Sequence, residues 1–356
     1  MKREAESAAK VSKLREEMSL RGLDAVVIKK QSNFSWISSG GRGFIGLASE
    51  NACASIVVAK DEVYLAANNI ESGRLLSEEL PPGFAKALTL AWPKDGGMDG
   101  LLRSMFPALS DDSQMDDWFK KNRMILNEDE IGRYRELGAY ASGALEKVCL
   151  SIRPGMSEFE VAGAIAREMW NGGIEPITLL IAADDRSERV RHFVPTSALI
   201  NTGVIASICV RSRGLIASAT RVVAFRKGFA ENYVRLLEVE RTTFECSKEG
   251  AVLGEVMKAM IKAYEENGLA GEWENHHQGG LTGYMARELR VDPTCQASLR
   301  QNQALAWNPS AKGVKCEDTV LLSSSGLEIL TPVSGSWPTV KVGKWIRPEV
   351  LRTYNF

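Results

Sequence analysis

A change of hydrophobic period near mid-chain constrains the fold more than any other feature. From residue 127, "NEDEIGRYRELGAYASGALEKVCLSI" carries apolar residues at helical spacing and predicts one long helix with Asn127 as its N-cap. "RPGMSEFEVAGAIAREMWNGG" predicts a second helix, in which Ser157 and Glu160 stand at the spacing where each side chain satisfies a backbone N–H orphaned at a helix start. The period then shortens. "PITLLIAA", "GVIASICVRSRGLIASATRVVAF" and "QALAWNPSAKGVKCEDTVLLSSSGLEILT" are β-rich with turn residues between them. Two further helices, about 229–247 and 252–267, separate these blocks, and the second stops at Asn267-Gly268. Helix pairs outside antiparallel strands make an α+β domain.

Upstream, helical spacing from about residue 8 to 23 is followed by the short β-rich runs "DAVVIKK" and "ACASIVVAKDEVYLAAN", which predict a small α/β unit. It continues through the amphipathic "NIESGRLLSEEL" and "MDGLLRSMF". The polar "PALSDDSQMDD" is the expected junction, with domains at 1–118 and 119–356. Forty-four basic against 45 acidic side chains leave a net charge of −1, so neither nucleic acid nor membrane is an expected partner. The charged start lacks a secretory apolar core and no run of ~20 apolar residues occurs, so a cytoplasmic location is expected. Six cysteines without C-x-x-C spacing imply reduced thiols.

Two of the three histidines adjoin a glycine pair in "NHHQGGLTGY", residues 275–284. Adjacent side chains on an extended segment point opposite ways, so His277 is expected at the site, with His276 either a neighbour behind it or facing solvent. Gly279 and Gly280 read either as close backbone approach to a ligand or as a plain turn. His192, ahead of "VPT", suits proton transfer near neutral pH or a hydrogen-bonded loop position. In "VKCEDTVLL" alternation sends Glu317 and Asp318 to opposite faces, and an inward Glu317 needs an imidazole, an arginine such as Arg221, or a substrate against it. Cys209 reads as a nucleophile if an imidazole lowers its pKa, or as a small core residue. Arg186, Arg189, Arg191, Arg211 and Arg213 form either a solvated face or a fork for a substrate carboxylate. Trp273 and Trp307 read as cavity walls or as core.

Four stretches in order, "LSIRPGMSEFEVAGAIAREMWNGGIEP", "RHFVPTSALINTG", "GLIASATR" and "GVKCEDTVLLSSSGLEILT", resemble the M24 family of Xaa-Pro aminopeptidases, prolidases, methionine aminopeptidases and creatinase. The resemblance implies a creatinase-type α/β N-terminal domain, an α+β pita-bread domain with antiparallel sheet and flanking helices, and a homodimer. Metallopeptidases of that family hold two metal ions on two aspartates, a histidine and two glutamates. Carried onto this chain, those positions read Cys209, Ser218, His277, Asn308 and Glu317. The family's second histidine of that segment falls at Tyr284, and its substrate-side histidine at His192.

So few carboxylates cannot offset the dehydration of two divalent ions, and no metal cofactor is expected. One ion on Cys209, His277 and Glu317 is the alternative. The resemblance then implies a metal-independent, creatinase-like hydrolase or lyase acting on a C–N bond of a small molecule. His192 would be its general acid/base, and Glu317 would orient His277 or hold a cationic group. Asn308 and Tyr284 would meet developing charge, with Arg221, Cys209 and Ser218 lining the site. Two alternatives stay open: an Xaa-Pro metallopeptidase with one metal and a peptide substrate, and a catalytically inactive pita-bread binding protein.

Overall fold

The computed structural model describes residues 3–354. They form two compact units, residues 3–123 with 213–215, and residues 124–212 with 216–354. The division expected at 118/119 thus lies at 123/124. The cause is the helix Asp116–Arg123, whose Trp118 and Phe119 pack edge-on against Trp36 at ring-centroid distances of 6.0 and 6.1 Å.

In the first unit, α1 (Arg3–Arg21), β1 (Ala25–Lys30), α2 (Gln31–Ile37), β2 (Asn51–Ala59) and β3 (Val63–Asn68) lead to a short α3 (Ser72–Arg74) that runs on as a π-helical turn. Then come β4 (Lys86–Leu90), α4 (Met98–Met105), β5 (Leu109–Asp111) and α5 (Asp116–Arg123). The sheet order is β4-β3-β2-β1-β5, antiparallel except where β4 and β5 join. β5 lies inside the polar stretch 107–117, which therefore builds a sheet edge.

The second unit opens with α6 (Glu128–Ser151) and α7 (Glu158–Asn171). Both start in a capping box. The Asn127 side chain accepts from the Glu130 N–H at 2.9 Å while Glu130 accepts from the Asn127 N–H at 2.9 Å, and Ser157 and Glu160 repeat the exchange. Next come β6 (Glu175–Ala183), α8 (Arg186–Arg189), β7 (Gly203–Ser212), β8 (Leu215–Ala224), α9 (Tyr233–Cys246), α10 (Leu253–Glu266), β9 (Gly279–Thr282), β10 (Leu289–Arg290) and β11 (Gln303–Trp307). The chain ends with β12 (Ser310–Ala311), β13 (Val314–Lys315), β14 (Asp318–Ser323), β15 (Gly326–Ile329), β16 (Thr339–Val342), β17 (Trp345–Pro348) and β18 (Leu351–Arg352).

One curved sheet runs β10-β9-β11-β14-β8-β7-β6, with β15 beside β14 and β18 parallel to β8. This is the pita-bread fold that the family resemblance implied. Leu236, Leu237, Phe244, Val256, Met257 and Met260 of α9 and α10 bury their apolar faces in one core with Trp307 and Val320 of the sheet. Trp307 is core, its indole N–H donating to Ser247 Oγ at 3.1 Å, and Trp273 packs half-buried against the same cluster.

Gly279 and Gly280 have φ of 118° and 146°. A Cβ would meet the Ala306 carbonyl oxygen at 2.2 Å from the first and the Leu289 carbonyl oxygen at 2.0 Å from the second. The pair exists for close approach of neighbouring strands. Among the described residues no helix is long and apolar enough to cross a membrane, and all six cysteines are free.

Candidate functional site

All three histidines of the chain converge. His192 Nε2 stands 3.3 Å from His276 Nε2, and the ring centroids of His276 and His277 lie 4.4 Å apart. His276 thus stands beside His277 and does not face solvent. Gln278 pins the adjoining segment: its Nε2 donates to the His276 and Trp273 carbonyls at 2.6 and 3.1 Å, and its Oε1 accepts from Tyr264 at 2.6 Å. His276 is 8% exposed.

His192 is brought in by its neighbour. Arg191 donates to the Ala311 carbonyl at 2.7 Å and to Glu272 at 2.5 Å, tying the loop after α8 to the segment that carries His276. Ser310 Oγ lies 3.4 Å from His276 Nδ1, and His277 Nδ1 is buried without a hydrogen-bond partner. The three imidazoles offer ring nitrogens that all lie within 4.8 Å of one another, a grouping able to ligate a metal ion.

Fixed cations surround them. Glu317, 3% exposed, is held by Lys315 Nζ at 2.9 Å from Oε2 and by Arg287 Nη2 at 3.2 Å from Oε1. Burial opposes its charge, but these two cations outweigh burial and hold the carboxyl below its ordinary range. Burial and then Lys315 push His276 down to about 2, and burial and then Arg287 push His277 down to about 4. His192 is lowered by the same causes, burial and Lys315. Near neutral pH all three rings are uncharged bases.

The remaining expected residues divide. Ser218 Oγ donates to Cys209 Sγ at 3.2 Å, and burial pushes that thiol up, so Cys209 is a protonated thiol and not an activated nucleophile. Asn308 is anchored by its N–H to the Gln278 carbonyl at 3.0 Å, and its Oδ1 is buried without a partner. Tyr284 turns its hydroxyl to Glu130 at 2.7 Å, at the start of α6. Arg221 is a correction. It is fully buried and donates to Glu146 at 2.6 Å and Asp318 at 3.1 Å, on the opposite side of β14 from Glu317. Of the five clustered arginines, Arg186, Arg189, Arg191 and Arg211 pair with Glu158, Asp185, Glu272 and Glu175, so they are structural partners and not an open fork. Arg213 sits with the first unit at the tip of the β7–β8 hairpin.

The site also holds residues that sequence reasoning passed over: Arg287, Arg290 and Lys315. Lys315 was findable, since it precedes Glu317 by two on an extended segment and so shares its face. Arg287 and Arg290 carry no such signal.

The sequence profile described as metallopeptidase family M24 matches residues 132–324. The chain is 26% identical over 355 residues to an Xaa-Pro dipeptidase of Pyrococcus horikoshii, covering 90% of this chain and 96% of that one. An uncharacterized peptidase of Staphylococcus aureus is 25% identical over 226 residues, 60% of this chain and 64% of its own. The crystal structure of the Pyrococcus horikoshii prolidase superposes with a TM-score of 0.74 at 21% identity, covering 92% of this chain and 99% of that one. The X-Pro aminopeptidase of Thermotoga maritima gives 0.74 at 19% identity, covering 96% and 99%.

Proposed function

The chain belongs to metallopeptidase family M24, a family of hydrolases, and from that premise we propose that it hydrolyses or lyses a carbon–nitrogen bond in a small molecule without a metal ion. The observation that carries this reading is Glu317, both of whose oxygens are already met by Lys315 and Arg287. At the positions the resemblance assigns to the family's ligands stand a thiol held protonated, a hydroxyl, an imidazole, an amide and this neutralised carboxylate. That donor set does not fit two divalent ions, whose dehydration needs several free carboxylates to offset it.

Proton transfer falls to His192. When its Nε2–H donates to His276 Nε2, and His276 Nδ1–H in turn donates to Ser310 Oγ, the His192 Nδ1 lone pair is left as the base. In the hydrolytic case that base takes a proton from the attacking water and returns it to the leaving nitrogen. Asn308 offers its amide to the charge that develops. The cation surplus around Glu317 suits a substrate with an anionic group, and Arg287 supports this because its Nε is buried without a partner.

A second reading, one transition-metal ion and an Xaa-Pro peptide substrate, is favoured by the three-histidine grouping. The experiment that separates them is turnover of a panel of small amides, amidines and Xaa-Pro dipeptides after exhaustive chelation. Activity is expected to persist without added ions, and His192→Gln is expected to lower kcat about 100-fold or more with the thermal midpoint unchanged. Activity that returns only with a divalent ion would overturn the reading.

A further inference from the structure

The three-histidine cluster has the dimensions of a ligand set. A tetrahedral ion with nitrogen ligands at about 2.0–2.1 Å places those nitrogens roughly 3.3–3.4 Å apart. His192 Nε2 and His276 Nε2 are 3.3 Å apart, and His277 adds a buried ring nitrogen with no partner. Ser310, beside His276 Nδ1, is placed as an outer partner that would orient that ring. Three protein ligands and an open fourth position make a sufficient set for zinc or cobalt.

What opposes an ion there is charge. Arg287 acts on all three rings, Lys315 on His192 and His276, and Arg290 on His192 and His277 from the exposed edge at β10. Against them stand Glu317, which the two cations already neutralise, and Glu288, which turns to the Tyr284 and Met285 N–H groups. The cluster is left with a net positive surround. In a partly buried site a divalent ion feels each such charge with twice the energy of a monovalent one.

We propose that Arg287 and Lys315 are resident cations that exclude a divalent ion from a site otherwise dimensioned to hold one on His192, His276 and His277. The inference rests on the reading that the protein works without a metal and names the groups that make it so. Each cation is held by Glu317 and each can be removed singly with the other left to neutralise that carboxylate, so Lys315→Met and Arg287→Met are both expected to fold.

The test is cobalt(II) binding near neutral pH, followed by the visible d–d band and by paramagnetic broadening of the histidine ring resonances. Every histidine of the chain lies in this cluster, so those resonances report on nothing else. The natural protein is expected to bind cobalt at this site at least tenfold more weakly than Lys315→Met or Arg287→Met, and adding His276→Gln to either variant is expected to abolish the gain. If the natural protein binds one equivalent as tightly as the variants, the metal-independent reading falls and exclusion falls with it. If the natural protein does not bind and the folded variants gain nothing, exclusion by these cations is overturned while the metal-independent reading stands.

Discussion

His276 and His277 convert the geometry of the site into a pH dependence. In the unfolded chain each takes a proton near the ordinary imidazole value of 6.5, but in the fold His276 is held down to about 2 and His277 to about 4. Below pH 6.5 the unfolded state therefore binds protons that the native state refuses, and stability rises with pH. The contribution is complete above about 6.5 and is lost as pH falls, down to about 4 for His277 and on to about 2 for His276. Urea midpoints are expected to drop across that window, and the double variant His276→Gln/His277→Gln is expected to flatten this part of the curve. An unchanged slope in the double variant would show that other groups cause it. The acid limb matters for function too, because the same lowering keeps His192 an unprotonated base at neutral pH.

Between elements, the strongest polar tie in the second unit is a buried chain of charges. Glu146 of α6 accepts from Arg221 of β8 at 2.6 Å, and Asp318 of β14 accepts from Arg221 at 3.1 Å and from Arg347 of β17 at 2.7 Å. Glu240 of α9 closes it on Arg347 at 2.6 Å. All five groups are 0–2% exposed, so desolvation is severe and removing one member strands the others. Arg221→Met is expected to destabilise the protein by about 3–5 kcal/mol in urea titration, since Glu146 would lose its guanidinium. The same variant is expected to leave ligand affinity at the histidine cluster unchanged. A large affinity loss in a stably folded variant would return Arg221 to the site.

For the assembled molecule, the family resemblance implies a homodimer, and light scattering is expected to give near twice the 39.0 kDa of one chain. A single-chain mass at micromolar concentration would remove that expectation. Much of the architecture is legible in the sequence, because its signals are local. The capping boxes at Asn127 and Ser157, the stop at Asn267-Gly268 and the shift from helical to alternating spacing each depend on neighbours a few residues apart. The roles of His276, Arg191, Arg221 and Arg287 were not legible. Arg191 meets Ala311 across 120 residues, Arg221 meets Asp318 across 97, and Arg287 meets Glu317 across 30. A buried charge takes whichever opposite charge the packed sheet and helices bring to it. Spacing along the chain thus decided which elements form and which faces they bury, whereas pairing through space decided which histidines meet and which cations guard them.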